Sequence, residues 1–243
     1  MPRTIDRMLA CLLLTAGVTL GACESPATPP APQAAAPAAA EAGGHEMASL
    51  PVAHRVAFMS GHVTAGLALY RAGAPEEAAP HLLHPVSETH AAERAGIDAL
   101  GFDPAPFRSV SAALEAGRPA AEVEPMLAAA EANIALLRRN AGGDPADIID
   151  YLMRTAEAEY VIGVRDGGVA DPGEYQDAYG FAVVALDTAA RLPEPVRAEA
   201  VRELQGLIAL WPRGGPLAAS QPAPVETVTA RIARVRAAVK PGG

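Results

Sequence analysis

Residues 51–93 read PVAHRVAFMSGHVTAGLALYRAGAPEEAAPHLLHPVSETHAAE, and the spacing of their apolar residues decides the fold class. Val52, Val56, Met59, Val63, Gly66 and Tyr70 recur at intervals of four and three, which gathers them on one face of an α-helix. Pro51 suits the helix start, where a missing N–H costs nothing, and Gly73 suits its end. Pro75 then opens a second helix whose first turn carries Glu76 and Glu77, placed where the helix dipole favours acids. The link from Gly73 to Pro75 is so short that the two helices must lie side by side and antiparallel. Pro80 and Pro85 interrupt the second helix, Ser87 is a candidate cap for a further helix reaching Leu100, and Gly101 stops that one.

The same punctuation continues outward to the C-terminus. Asp103 with Pro104 opens a short helical piece, and a longer helix is predicted from about Ala120 to Arg139 with Val123, Met126, Leu127, Ala130, Ile134 and Leu137 inward. AGGD at 141–144 breaks the chain, Asp144 caps, and Pro145 takes the first position of a helix to about Arg165. Asp171 with Pro172 repeats that start for a helix to Arg191. Pro193 begins another to Leu210, and the last runs from Val225 to Val239. Few aromatics and no sustained alternating runs leave no room for a sheet-based core. The expectation is an all-α fold: an up-and-down helical bundle over residues 51–240, divisible into two subdomains meeting near 141–144.

Upstream of this region the composition changes. Arg3 and Arg7 lead into the apolar run MLACLLLTAGVTL, too short to span a bilayer and placed as a secretory signal over residues 1–22. Leu20, Gly21, Ala22 and Cys23 resemble the bacterial lipobox, which implies cleavage before Cys23, acylation of its thiol with diacylglycerol and palmitate-type chains, and a lipid-anchored location in the bacterial cell envelope facing the periplasm. Residues 24–42, ESPATPPAPQAAAPAAAEA, cannot bury a core and, extended, reach up to roughly 60 Å, and residues 23–50 are predicted to be a lipidated disordered linker. Cleavage also removes Cys11, so no disulfide or thiolate metal site is expected. Loss of two arginines and one aspartate takes the formal charge from −9 to −10, which disfavours nucleic acid and anionic lipid and attracts cations.

All six histidines, at positions 45, 54, 62, 81, 84 and 90, fall within 46 consecutive residues, and histidine is the commonest metal ligand. His62 flanks the apolar stripe of the first helix, where ligands from facing helices build bundle metal sites. His81 and His84 are three apart, although Pro85 bends His84 away from α geometry. His90 and Glu93 repeat that offset with Glu88 nearby. His62 and His84 lie at comparable distances from the Gly73 turn, which makes them the expected core pair, joined by Glu88 or His81. Glu159 falls on the stripe of Ile149, Leu152, Ala156 and Gly163 and would need a partner if buried. Glu174 and Asp177 open the next helix and are more distant candidates. The competing interpretation is that these are solvated faces, caps and packing histidines.

The run EYVIGVRDGGVADPGEYQDAYGF at 159–181 resembles the helix–loop–helix of periplasmic helical domains associated with bacterial iron permeases, through the Asp166-Gly167 turn and the Glu174-Tyr175 pair. That resemblance implies iron, ahead of zinc or copper, as the bound ion, and a metal transporter as partner. Imelysin-type metal-binding lipoproteins are a looser likeness: His90 and Glu93 fit their signature, but Glu88 stands where it has glycine. The segment AGLALYRAGAPEEAAPHL also resembles one tetratricopeptide helix–turn–helix, which implies a non-catalytic interaction scaffold, but no second copy follows. No enzyme motif is present: position 49 is serine where a zinc-protease helix beginning at His45 needs its second histidine, and no nucleophile elbow, P-loop or dinucleotide fingerprint occurs. A non-enzymatic role is therefore expected.

Overall fold

The computed structural model of the chain describes residues 49–87, 94 and 96–240. Cys23, the signal, the linker up to residue 48, His45, Glu88, His90 and Glu93 lie outside the described residues. The described part is helical, as the punctuation predicts: α1 (Val52–Arg71), α2 (Pro75–Leu83), α3 (Ala105–Glu115), α4 (Ala120–Ala141), α5 (Pro145–Gly163), α6 (Pro172–Ala189), α7 (Val196–Ile208) and α8 (Val225–Val239). The two caps anticipated from sequence are made. The Asp144 carboxylate accepts the backbone N–H groups of Ala146 and Asp147, and Asp171 does the same for Gly173 and Glu174, with proline at the first helical position each time.

The helices close into two rings. In the first, α1 packs on α2, α2 on α3, α3 on α4 and α4 back on α1; in the second, α5 to α8 repeat that circuit. Each ring has its own apolar core, one running from Val56 to Leu137 and the other from Ala57 through Ile148 to Val239. The chain passes between them through Gly142 and Gly143, both at positive φ, a conformation glycine adopts without steric cost. That is the break expected at 141–144.

Three local expectations fail, each for a physical reason. The six-residue stripe of α1 suggests one buried face, yet no residue from Val52 to Tyr70 is exposed, because α1 is sandwiched between the first ring and α6. Ser87 terminates a 3₁₀ turn over His84–Val86 and donates its hydroxyl to the His84 carbonyl, and residues 88–93 of the helix expected after it lie outside the described residues. The segment expected to be helical to Leu100 has Gly96 at φ 77° and then only a 3₁₀ turn at Asp98–Leu100. Between α5 and α6, where a loop is predicted, Val164–Arg165 (β1) pairs antiparallel with Gly168–Val169 (β2) around Asp166 and Gly167, both at positive φ as a tight hairpin turn demands.

The contact between the rings is set by glycine. A Cβ at Gly180 on α6 would collide with the Gly61 carbonyl oxygen of α1, and one at Gly61 would enter the Phe181 ring. Further along α1, a Cβ at Gly66 would lie 2.8 Å from the Leu82 side chain and 3.1 Å from the Ala78 carbonyl oxygen of α2. Gly180→Ala therefore sets a helix-propensity gain of about 1 kcal/mol against overpacking on a backbone atom that cannot rotate aside. We expect a net destabilisation of about 1–3 kcal/mol by urea unfolding, whereas Gly214→Ala, with open space around it, should be near neutral.

Candidate metal centre

Where α1, α2 and α6 meet, three polar side chains converge inside the molecule. His62 follows Gly61 at the crossing, His81 lies on the α2 face that Gly66 admits, and Asp177 is one turn before Gly180 on α6. They are 5 %, 6 % and 8 % exposed, too buried to be an ordinary solvated polar face. One carboxylate oxygen gathers both rings: Asp177 Oδ1 is 2.7 Å from His62 Nδ1 and 2.8 Å from His81 Nδ1. One donor atom from each of the three lies within 4.8 Å of the others, the geometry of a group able to enclose a cation. The triad forms one wall of an open cavity of about 550 Å³, so a cation has a route in.

Around this triad the contacts are specific. The His84 ring stacks on that of His62 at a centroid distance of 3.5 Å and 12° between planes. Phe58 and Phe181 meet His62 edge-on at 4.6 and 5.3 Å. His81 Nε2 is 2.8 Å from Gln176 Oε1, and Gln176 in turn donates to Glu77. Burial alone would push the Asp177 carboxyl up and the His81 imidazole down. The pairing outweighs it in both: His62 and His81 hold Asp177 well below the usual carboxylate range, and the Asp177 hydrogen bond raises His81. Glu174, half-buried three residues before Asp177, is raised by its burial and by the neighbouring Asp177 and Asp171.

The structure redistributes the candidate ligands. His62 and His81 come together as a pair, but around Asp177, which the sequence ranks among the distant candidates. His62 and His84 do meet, as their distances from the turn imply, but face to face. Coordinating lone pairs lie in the ring plane, and two parallel planes do not converge on one ion, so His84 is a packing partner of His62. Glu174 is near enough to Asp177, His62 and His81 for each to move its pKa. Glu159 is half-buried and outside the triad. His54, which sequence reasoning leaves without a role, pairs with Asp147 at 2.8 Å and stacks on Tyr151 at 4.5 Å, joining α1 to α5. Among the described residues this triad is the sole such metal-capable group.

Residues 139–241 match the family model of the iron permease-associated 4-helix bundle domain. The matched stretch begins in the last turn of α4, takes in the whole second ring, and contains the hairpin and Glu-Tyr pair that carry the resemblance in the sequence. It includes Asp177 but neither histidine. No curated protein matches the chain, and no solved structure does. No helix among the described residues is long and apolar enough to cross a membrane.

The opposed shifts make a signed prediction for the metal-free protein. Asp177 is depressed in the fold, so its contribution is present above the unfolded value near pH 4 and is lost as pH falls through the folded one. His81 is raised, so its contribution is complete below about pH 6.5 and is lost as pH climbs through the folded value. The pair therefore stabilises most between about pH 4 and 6.5. Asp177→Asn should cost roughly 1.5–3 kcal/mol within that window and less above it, measured by thermal unfolding across pH.

Proposed function

We propose that the protein is a membrane-anchored periplasmic lipoprotein that binds a divalent transition metal, iron ahead of zinc or copper, and holds it for or hands it to a metal transporter. The observation that carries the proposal is the convergence of His62, His81 and Asp177 from three helices on one open cavity. Two imidazoles and one carboxylate beside that cavity would form a donor set suited to Fe(II) and tolerant of Zn(II). Glu174, one turn before Asp177 and electrostatically coupled to Asp177, His62 and His81, is a candidate for a further ligand. An open cavity beside the donors favours an exchangeable ion over a sealed structural one, as binding and delivery require. The iron preference is supported by the match of the second ring to an iron permease-associated domain.

The alternative is a non-catalytic interaction scaffold in which the triad is a packing cluster. Its specific support is that Asp177 already satisfies both histidines by hydrogen bonding. The two are separated by metal-dependent thermal shift. A ion bound only by the folded state must raise the melting temperature with its concentration, by about 2.7 kcal/mol of stability at a hundred times Kd. Anaerobic Fe(II), and Co(II) as its spectroscopic substitute, should stabilise the wild type saturably and leave a folded His62→Ala, His81→Ala variant unmoved. Absence of saturable stabilisation in the wild type would favour the scaffold.

The anchor is tested separately. Metabolic labelling with a fatty-acid analogue should mark the wild type and not Cys23→Ser; equal labelling of both would remove the lipoprotein assignment.

A further inference from the structure

Gln176 is 2 % exposed and belongs to no donor set, yet it touches the centre through a directed hydrogen-bond chain. Its Oε1 is 2.8 Å from His81 Nε2, its Nε2 donates to Glu77 Oε2, and that same Glu77 oxygen accepts the backbone N–H of Ala218 at 3.0 Å. The polarity of this chain runs one way. Glu77 Oε2, receiving the Ala218 N–H, is an acceptor, so Gln176 must turn its amide NH₂ toward it. That leaves the Gln176 carbonyl facing His81. A carbonyl only accepts, so Nε2 of His81 carries a hydrogen, and Nδ1, which faces Asp177, is the nitrogen left to coordinate a cation.

We infer that Glu77 and Gln176 are positioning residues of the metal centre, selecting Nδ1 of His81 as the donor and fixing the plane of its ring. The support extends to the connection between α7 and α8, because Ala218 contributes the first donor of the chain. Outer hydrogen bonds of this kind commonly set the tautomer of a ligating histidine. The inference rests on the metal-binding function proposed above and goes beyond it by assigning the ligating atom and the residues that choose it.

Co(II) titration of the purified full-length protein, read by affinity and by the d–d absorption bands, tests it. Gln176→Met and Glu77→Leu should each weaken Co(II) binding roughly 10–100-fold and shift the bands. Glu77→Gln, which keeps an acceptor oxygen, should restore near-wild-type values. In the zinc-loaded wild type, long-range ¹H–¹⁵N spectra should show the His81 proton on Nε2. If Gln176→Met fails to fold by circular dichroism, the Glu77 pair and the tautomer spectrum decide alone. Wild-type affinity and bands in both disrupting variants, or zinc on Nε2, would overturn the positioning role while leaving metal binding intact, provided His62→Ala, His81→Ala abolishes it. No saturable Co(II) binding by the wild type would overturn both.

Discussion

The close passage of α1 over α6 is the constraint on which the rest depends. Gly61 and Gly180 meet backbone to backbone, with the Phe181 ring filling the space beside Gly61. Five residues on, Gly66 lets α2 approach the same helix from another side. Ordinary side chains at these positions would push the helices apart and carry His62, His81 and Asp177 out of reach of one another. The triad is thus a consequence of where side chains are missing. Small residues cost helix propensity, about 1 kcal/mol for each glycine relative to alanine, and here that cost is offset by burying α1 on every side.

Burial at the crossing also fixes the electrostatics. A carboxylate removed from water needs partners, and Asp177 has two imidazoles on one oxygen. Both His62 and His81 present Nδ1, so the donors that satisfy Asp177 are the atoms that would ligate a cation. A metal ion bound there would take the place of the protons between those atoms, which separates this cluster from the Glu203 network. There, arginines 202, 231 and 234 surround a single carboxylate and join α7 to α8. An excess of acidic over basic residues across the chain favours a cation at the centre over an anion.

Much of the fold was legible because its punctuation is local. Asp144-Pro145 and Asp171-Pro172 start helices for reasons contained in two residues, and Gly142-Gly143 break the chain for reasons contained in one torsion angle each. The site was legible only in part. His62 and His81 stood among the candidates through their crowding and the short turn between their helices, but the same reasoning made His84 the expected partner of His62. Asp177 could not be promoted, because its role depends on α6 crossing α1, a contact across more than a hundred residues that no periodicity encodes. The stacking of His84 on His62 was invisible for a related reason: equal distance from a turn fixes a shared layer but not ring orientation. The hairpin at 164–169 was within reach, since Asp-Gly is a strong hairpin signal, but two-residue strands leave no alternation to detect.

The two rings also share a device that the sequence does not display as a repeat. Gly66 approaches Ala78, three residues after Pro75, and Gly163 approaches Tyr175, three residues after Pro172. Four residues before each glycine, one turn back on the same helix, stands a titratable residue, His62 in the first ring and Glu159 in the second. The backbone constraint is common while the chemistry differs, so a likeness of the second ring to an iron permease-associated bundle does not by itself supply a histidine centre. Both imidazoles come from the first ring, outside residues 139–241, and only the carboxylate comes from within them. Any metal chemistry at this crossing therefore belongs to the pair of rings together, and neither ring alone carries the donors for it.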